Sequence, residues 1–337
     1  MIQKNFSLLA YNTFHIDAKA HYFIEIKTLA KLRELPQLAI YQSQEKKLVL
    51  GGGSNVLLTK DFDGLVVKIS LRGIELMRED AHHHYVRVMA GEPWHQFVLW
   101  CIERGYAGVE NMSLIPGQVG ASPIQNIGAY GAELKDVCTH VHAFNPVIGE
   151  EKIIANEDCK FGYRDSIFKH EMRGWIITAV DFRLNKLPRF NTNYGDVKAT
   201  LAEMNITELT IKAVSDAVIH IRSTKLPDPA VLGNAGSFFK NPVVPKALCD
   251  SLLLSNPVMP HFPQPTGEVK IPAGWLIEQC GWKGKRVGNT GTHAQQALVL
   301  VNYGNATGPE VYQLALDIAT SVKQKFGVEI KPEVNLV

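Results

Sequence analysis

The sequence has little cysteine and lacks a long apolar run. Its 337 residues include five cysteines, at positions 101, 138, 159, 249 and 280. This spacing fits neither a disulfide framework nor a Cys-x-x-Cys metal site, so it predicts buried free thiols. No stretch approaches the roughly 18 apolar residues that cross a bilayer, and the N-terminus lacks the apolar core of a signal peptide. We therefore expect a cytoplasmic protein.

The chain also lacks an excess of charge of either sign. It contains 35 lysines and arginines against 33 aspartates and glutamates, which gives a formal net charge of +2. Such a balance predicts no general attraction to nucleic acid, and any anionic ligand must be held by local groups. The hydrophobic share of 46% excludes intrinsic disorder, and the length is typical of about two domains.

The sequence contains no G-x-x-x-x-G-K-[ST] motif, so it gives no support for P-loop phosphoryl chemistry. It does contain the glycine run Gly51-Gly52-Gly53-Ser54-Asn55, directly after apolar residues 48–50. The run is not a dinucleotide fingerprint, because Val56 stands where a third glycine is needed and another strand follows. Consecutive free N–H groups in such a turn can still bind a pyrophosphate, and an ordinary strand-to-strand turn is the alternative.

A second glycine-rich segment, residues 113–131, has neither helical nor strand periodicity. It contains Ile115-Pro116-Gly117-Gln118-Val119-Gly120-Ala121 and continues to Asn126-Ile127-Gly128-Ala129-Tyr130-Gly131. Long structured loops inside compact domains are usually functional, and this one is too long for a simple turn. Two such loops favour a dinucleotide that is bound by main-chain amides more than by cations.

Periodicity predicts an α+β fold rather than a doubly wound parallel sheet. Short β-branched or aromatic runs predict strands near 22–26, 48–50, 65–69, 85–89, 139–145, 152–154, 175–183 and 328–330. Apolar spacing predicts helices over 93–105, 207–222 and 311–326, the last stopped by Gly327. A domain boundary is expected between residues 190 and 225.

Three further polar positions could carry chemistry. Arg164 stands beside a tyrosine and an aspartate, a composition that suits carboxylate binding, although a surface ion pair is the alternative. Ser237 is surrounded by small residues that leave room for a ligand, but a turn serine is the default. Glu333, near the end of the sequence, means little alone. The histidines at 82–84 adjoin a polar turn and are expected to be exposed.

The order of the motifs resembles that of one family. Tyr-Asn-Thr-Phe at 11–14 is followed by the glycine run, the two parts of the long loop, Tyr-Arg-Asp-Ser at 163–166, Gly-Asn-Ala-Gly-Ser at 233–237 and Pro-Glu-Val at 332–334. Each motif alone is weak, but their combination in this order is specific. From about residue 11 onward, the sequence resembles the UDP-N-acetylenolpyruvoylglucosamine reductases (MurB) of bacterial peptidoglycan synthesis.

The resemblance implies a flavin enzyme. Residues 1–200 would form an FAD-binding region of the vanillyl-alcohol-oxidase type, with two α+β subdomains that meet near residue 70. Residues 201–337 would form an α+β substrate-binding domain whose extreme C-terminus returns to the active site. In this family NADPH reduces FAD, and the enolpyruvyl ether of UDP-N-acetylglucosamine is then reduced to UDP-N-acetylmuramate. The implied partners are the UDP-sugar and NADPH, without nucleic acid or membrane, and the implied state is a monomer.

Site residues carry over from the family motifs position by position. The implied catalytic residues are Arg164, Ser237 and Glu333. The implied FAD contacts are Gly51, Gly52, Gly53, Ser54, Asn55, Ile115, Pro116, Gly117, Gly120, Ala121, Gly128 and Arg222. The implied substrate contacts are Tyr194, Lys225, Asn241, Lys283 and Gln296. No metal ligand is implied.

The reaction needs residues of these catalytic types. Hydride addition to the vinyl carbon leaves negative charge on the neighbouring carbon and its carboxylate, which the planar, always ionised Arg164 can stabilise. Ser237 can donate the proton that follows, because this anion is basic enough to take one from a hydroxyl. Glu333 could orient the substrate or assist the proton transfer.

The sequence departs from the family at Phe262, where related enzymes often carry a tyrosine that helps to bind UDP. FAD is expected to bind noncovalently, because residues 51–55 and 115–131 contain no histidine or cysteine for attachment. Two other functions remain open: an FAD oxidase of the same fold that acts on another substrate, and a non-catalytic flavin or nucleotide-sugar binding module. The combination of Arg164, Ser237 and Glu333 argues against both.

Overall fold

The computed structural model describes all residues from Met1 to Val337. Its α-helices are α1 (Leu29–Glu34), α2 (Ala39–Ser43), α3 (Trp94–Glu103), α4 (Val197–Glu203), α5 (Ile211–Lys225), α6 (Lys246–Ser255), α7 (Ala273–Gln279) and α8 (Gly308–Phe326). None of them combines the length and the apolar character that crossing a bilayer requires.

The β-strands are short and mostly antiparallel. They are β1 (Gln3–Ser7), β2 (Lys19–Ile26), β3 (Lys47–Leu50), β4 (Val56–Leu57), β5 (Phe62–Ile69), β6 (Ile74–Glu79), β7 (His83–Met89), β8 (Gly128–Ala129), β9 (Ala132–Glu133), β10 (Cys138–Asn145), β11 (Glu150–Ala155), β12 (Ile176–Asn185), β13 (Gly233–Ser237), β14 (Val243–Val244), β15 (Phe262–Pro263), β16 (Val269–Lys270), β17 (Arg286–Val287), β18 (Thr290–Thr292), β19 (Val299–Asn302) and β20 (Asn335–Leu336). This mixture confirms the predicted α+β class.

The chain forms two compact units, each built from separate stretches of sequence. The first unit comprises Met1–Phe6, Ala20–Gly52 and Asp63–Arg222, and the second comprises Ser7–Lys19, Gly53–Phe62 and Ser223–Val337. The division after Arg222 falls inside the predicted interval of 190–225, but later than the junction expected at residues 200 and 201. The reason is that the buried faces of α4 and α5 pack together in one apolar cluster. The roles assigned to the two domains stay predictions.

The first unit contains two main sheets. One has the strand order β1-β2-β5-β3, with β3 and β5 parallel, and the other is a five-stranded sheet with the antiparallel order β11-β10-β12-β7-β6. Helix α3 covers one face of the five-stranded sheet, where Trp94 and Phe97 pack against Phe182 of β12. The predicted helix over 93–105 is therefore confirmed, and its apolar face builds the core of this unit.

The second unit is organised around the antiparallel sheet β13-β19-β18-β17. The early segment 11–14 joins this sheet, because the Asn234 N–H donates to the Thr13 carbonyl at 2.9 Å and Asn302 Nδ2 donates to the Phe14 carbonyl at 2.9 Å. The Phe14 ring also lies 6.3 Å from that of Phe238. This segment was expected in the N-terminal region, but its hydrogen bonds assign it to the second unit.

Helix α8 begins one turn before the predicted residue 311. The Thr307 hydroxyl accepts the Glu310 N–H and the Glu310 carboxylate accepts the Thr307 N–H, which forms a capping box. Gly327 ends the helix as predicted, with a left-handed φ of 66°. The strand predicted at 328–330 is wrong. Val328 and Ile330 are buried by packing, but they join no sheet.

All five cysteines are free thiols, and four of them are buried, as predicted. Of the histidines at 82–84, His82 is exposed as expected and His83 is half-buried, but the expectation is wrong for His84. Its side chain is only 14% exposed and its ring stacks on that of Tyr106 at 3.8 Å between centroids. The alternation of β7 turns this side chain away from solvent, which the adjoining polar turn did not indicate.

Gly308, the first residue of α8, tests the packing of the second unit. A Cβ at this position would lie 1.8 Å from the Leu58 carbonyl oxygen, so the backbone must move to accept it. We expect Gly308→Ala to lower the free energy of unfolding by about 1 to 3 kcal/mol or more. Pro309→Ala, on the exposed side of the same turn, should lower it by less than about 1 kcal/mol. Urea unfolding of both variants measures the difference; equal losses would contradict the prediction.

Candidate functional site

The glycine run and the long loop approach each other closely in the first unit. A Cβ on Gly52 would lie 2.9 Å from Gly117 Cα, a distance that real Cβ contacts do not reach. A Cβ on Gly51 would meet the side-chain oxygen of Gln118 at 3.3 Å, which can move aside. The main chain at residue 52 therefore requires glycine for steric reasons, independently of any ligand.

Several amides at this approach are available to a ligand. The main-chain N–H groups of Gly52, Ile115, Gly117 and Gln118 donate to no other protein group. Unpaired amides that converge without side chains between them form a site for phosphate oxygens. The residues present therefore fit the pyrophosphate of a dinucleotide.

The turn between β7 and α3 supports the long loop along its length. The Val119 N–H donates to the Glu92 carbonyl at 2.9 Å, and the Gly120 N–H donates to the Ala90 carbonyl at 2.8 Å. A Cβ on Gly120 would lie 2.5 Å from the Ala90 Cβ. Gly120 is thus needed for packing against Ala90, whereas a direct FAD contact of this residue stays a prediction.

A buried cation lies beneath this part of the loop. Lys68 Nζ donates to the Gln118 side-chain oxygen at 3.3 Å and to the Ile69 carbonyl at 3.0 Å. Gln118 Nε2 in turn donates to the Gly91 carbonyl at 2.9 Å. Burial lowers the pKa of Lys68 to about 8. Sequence reasoning missed Lys68; the available signal was a single charge inside the apolar run 65–69.

The second half of the loop leads to Arg164. Buried Asn126 bonds through Nδ2 to the Gly162 carbonyl at 3.2 Å and accepts the Lys135 N–H at 3.0 Å. Arg164 has a left-handed φ of 55°, and its Nη2 lies 3.5 Å from the Gly128 carbonyl. The loop and the predicted catalytic arginine therefore form one connected structure.

The aspartate beside Arg164 has a different partner. Asp165 accepts from His170 Nε2 at 2.9 Å, so it is not the group that orients the guanidinium. The guanidinium instead lies 5.6 Å from the Tyr163 ring centre. Burial, together with the charge of Arg164, lowers the pKa of the half-buried Arg222. Two neighbouring arginines create a positive potential that suits an anionic substrate.

The first unit also contains Tyr194, whose Cβ lies 3.1 Å from the position of a Cβ on Gly131. Its side chain is exposed. Tyr194 therefore lies beside the end of the long loop. Its role stays a prediction.

In the second unit, Ser237 and Glu333 belong to adjacent segments. The Glu333 N–H donates to the Phe238 carbonyl at 2.7 Å, and Pro332 pairs antiparallel with Phe239. Ser237 is exposed at the end of β13, after a register shift in its pairing with β19. Asn55 Nδ2 donates to the Glu333 carbonyl at 3.4 Å, so the end of the glycine run supports the segment that carries this carboxylate.

The other predicted substrate contacts of the second unit have structural partners. The Asn241 side-chain oxygen accepts the Ala273 N–H at 2.9 Å, and that of Gln296 accepts the Leu298 N–H at 3.3 Å. Lys283 pairs with Glu278 at 3.0 Å, and Lys225 is the last residue of α5. These contacts orient the side chains but do not test their binding roles.

Comparison with known proteins decides the family. Residues 228–337 match the family described as UDP-N-acetylenolpyruvoylglucosamine reductase, C-terminal domain, and residues 20–154 match the FAD binding domain family. The UDP-N-acetylenolpyruvoylglucosamine reductase of Flavobacterium johnsoniae is 51% identical, over 100% of this chain and 99% of its own. That of Amoebophilus asiaticus is 50% identical, also over 100% and 99%. This chain belongs to the UDP-N-acetylenolpyruvoylglucosamine reductase family.

The fold of this reductase also has a solved counterpart. The crystal structure of MurB from Thermus caldophilus matches with a TM-score of 0.67 at 22% identity, over 100% of this chain and 98% of that one. The resemblance seen in the motifs is thus confirmed. So are the FAD-binding fold, the oxidoreductase class, FAD as cofactor with NADPH as reductant, and the place in peptidoglycan synthesis.

Gly52 and Gly51 provide a matched pair that tests the predicted flavin loop. We expect Gly52→Ala to weaken FAD binding about tenfold or more, because its methyl group forces the main chain at Gly117 away. Gly51→Ala should weaken it less, since it meets only a movable side-chain oxygen. Flavin fluorescence during titration of apoprotein measures both affinities. If the two variants bind FAD equally well, the close approach does not shape the cofactor site.

Proposed function

We propose that this chain reduces UDP-N-acetyl-3-O-(1-carboxyvinyl)-glucosamine to UDP-N-acetylmuramate, with Arg164, Ser237 and Glu333 as its catalytic residues. The observation that carries the proposal is the pairing of Glu333 with Phe238, which makes an acid the neighbour of an exposed serine. Family membership supports this reaction over oxidation of another substrate or binding without catalysis.

FAD is held noncovalently in this proposal. The amides of Gly52, Ile115, Gly117 and Gln118 bind its pyrophosphate, and Lys68 below them adds positive charge. When bound and reduced by NADPH, FAD supplies the hydride that adds to the vinyl CH₂ carbon of the substrate. Side chains of the protein stabilise the charge, donate the proton and bind the substrate.

Arg164 binds the substrate carboxylate and stabilises the negative charge that develops there. Its planar guanidinium offers parallel N–H groups to a carboxylate. The second positive charge, on Arg222, strengthens the local potential. Electrostatic stabilisation of this kind acts mainly on the transition state, because the charge is greatest there.

Ser237 donates the proton that ends the reaction. Its hydroxyl gives the proton to the carbon that carries the ether oxygen, and solvent reprotonates the serine. Glu333, held beside it through Phe238, orients the substrate or assists this transfer. The UDP portion is bound by Tyr194, Lys225, Asn241, Lys283 and Gln296, with the exposed ring of Phe262 against it. We infer that the enzyme acts as a monomer in the cytoplasm, where NADPH and nucleotide sugars are made.

The absorption spectrum of the purified protein tests the proposed function. The flavin bands should bleach with NADPH without oxygen, and they should return when the enolpyruvyl substrate is added. Bands that return only with oxygen would indicate an oxidase, and bands that never bleach would indicate a binding module. Either result would overturn the proposal.

Ser237→Ala should separate the two half-reactions. Reduction of the flavin by NADPH needs no proton from Ser237, so its rate should be nearly unchanged. Reduction of the substrate loses its general acid, and its rate should fall by about 10² to 10⁴-fold. Ser237→Cys should recover part of it. Rapid-mixing absorbance measures each half alone, and equal slowing of both would assign Ser237 to folding or flavin placement instead.

Phe262→Tyr should strengthen substrate binding. The side chain is 52% exposed on β15, so a hydroxyl can be added without repacking. A new hydrogen bond to the UDP would stabilise the complex by about 0.5 to 1.5 kcal/mol and lower KM, with kcat little changed. Steady-state kinetics measures both constants. A change in kcat with KM constant would remove residue 262 from the UDP site.

A further inference from the structure

Leu114 precedes the flavin loop in a backbone conformation that leucine rarely adopts. Its φ is +58°, in the left-handed region, where a residue with a Cβ atom is strained. Ile115, Pro116 and Gly117 follow it directly, so the direction of the Ile115 and Gly117 N–H groups depends on this residue. A strained conformation persists only where the surrounding structure holds it.

Two side chains from different helices hold Leu114. His95 of α3 accepts the Leu114 N–H on Nδ1 at 3.0 Å. Arg222 of α5 donates from Nε to the Leu114 carbonyl at 3.3 Å. Both polar groups of one strained residue are thus paired with side chains, rather than with the backbone of a helix or sheet.

The residues around Leu114 are fixed in the same way, so it cannot move alone. Trp94 Nε1 donates to the Met112 carbonyl at 2.9 Å, and the Trp94 N–H donates to the Gly117 carbonyl at 3.0 Å. Ser113 and Ser215 share a hydrogen bond of 2.8 Å between their hydroxyls. The loop is therefore held between α3 and α5 on both sides of Leu114.

We propose that His95 is a positioning residue for FAD: its neutral imidazole accepts the Leu114 N–H and, with Arg222, sets the direction of the Ile115 and Gly117 N–H groups. The inference rests on the proposed cofactor role of this loop. An acceptor at Nδ1 requires the proton of the neutral ring to lie on Nε2. His95 acts through Leu114 and touches neither substrate nor flavin.

The arrangement works only while His95 is neutral. A protonated imidazole carries N–H groups on both nitrogens, so Nδ1 would face the Leu114 N–H donor to donor. Burial, together with the positive charge of Arg222, lowers the pKa of His95. Burial and the charge of Arg164 lower the pKa of Arg222, whereas Tyr130 raises it. Since the folded pKa lies below the usual value near 6.5, the favourable state is present at neutral pH and is lost as pH falls.

The test measures release of FAD from diluted holoenzyme, followed by the rise in flavin fluorescence between pH 8 and pH 5. Wild-type release should accelerate as the pH falls, because His95 then becomes protonated. His95→Leu leaves the Leu114 N–H without an acceptor, and should release FAD about tenfold faster already at pH 8. His95→Asn keeps an oxygen near the place of Nδ1 and does not titrate. It should release FAD slowly across the whole range.

Two further variants distinguish positioning from packing. Leu114→Gly in the His95→Leu background should recover part of the slow release, because glycine adopts positive φ without strain. His140→Leu, at an exposed position on β10, should release FAD at the wild-type rate. A purely structural role of His95 would not be relieved by a change at Leu114.

Two results would overturn the inference: His95→Leu that releases FAD like the wild type, or His95→Asn that keeps the acid acceleration. The Gly52→Ala variant distinguishes failure of the proposed cofactor site from failure of this inference. If Gly52→Ala also leaves FAD release unchanged, the loop is not the flavin site. If it accelerates release while His95→Leu does not, only the positioning role is wrong.

Discussion

The predicted flavin site depends on an approach of two main chains so close that no side chain fits between them. Gly52 and Gly117 meet at a distance that a single methyl group would block. Amides of both segments donate to no other protein group, and the Gln118 side chain contacts Lys68. Anion binding at the predicted site would therefore depend on local geometry rather than on net charge.

Much of the architecture follows from patterns that act over short distances. The apolar period of residues 93–105 predicts α3, and Gly327 predicts the end of α8, because both signals concern neighbours within one helix. The glycine loops and the order of the motifs indicate the family, because both are properties of the sequence itself. Comparison with relatives confirms that membership, while the roles of the individual site residues stay predictions for mutation to test.

Other features depend on residues far apart in sequence. The assignment of segment 11–14 to the second unit rests on hydrogen bonds to Asn234 and Asn302, which no local pattern reveals. His95 is an ordinary helical histidine in the sequence; its proposed positioning role follows only from its contact with the left-handed Leu114. Likewise, the packing of Val328 and Ile330 into a core without a strand reflects tertiary contacts that outweigh β-propensity.

Because each unit is built from separate stretches of sequence, the two units can fold at different stages of translation. Every stretch of the first unit has been synthesised once residue 222 is made, so this unit can fold while translation continues. The second unit cannot fold completely until late in translation, because β20 pairs in parallel with β4. This pairing joins one segment that is synthesised early to another that is synthesised late. Residues 7–19 and 53–62 thus remain without their partners for most of translation. During that interval the nascent chain presents its early apolar segments to chaperones and to other chains.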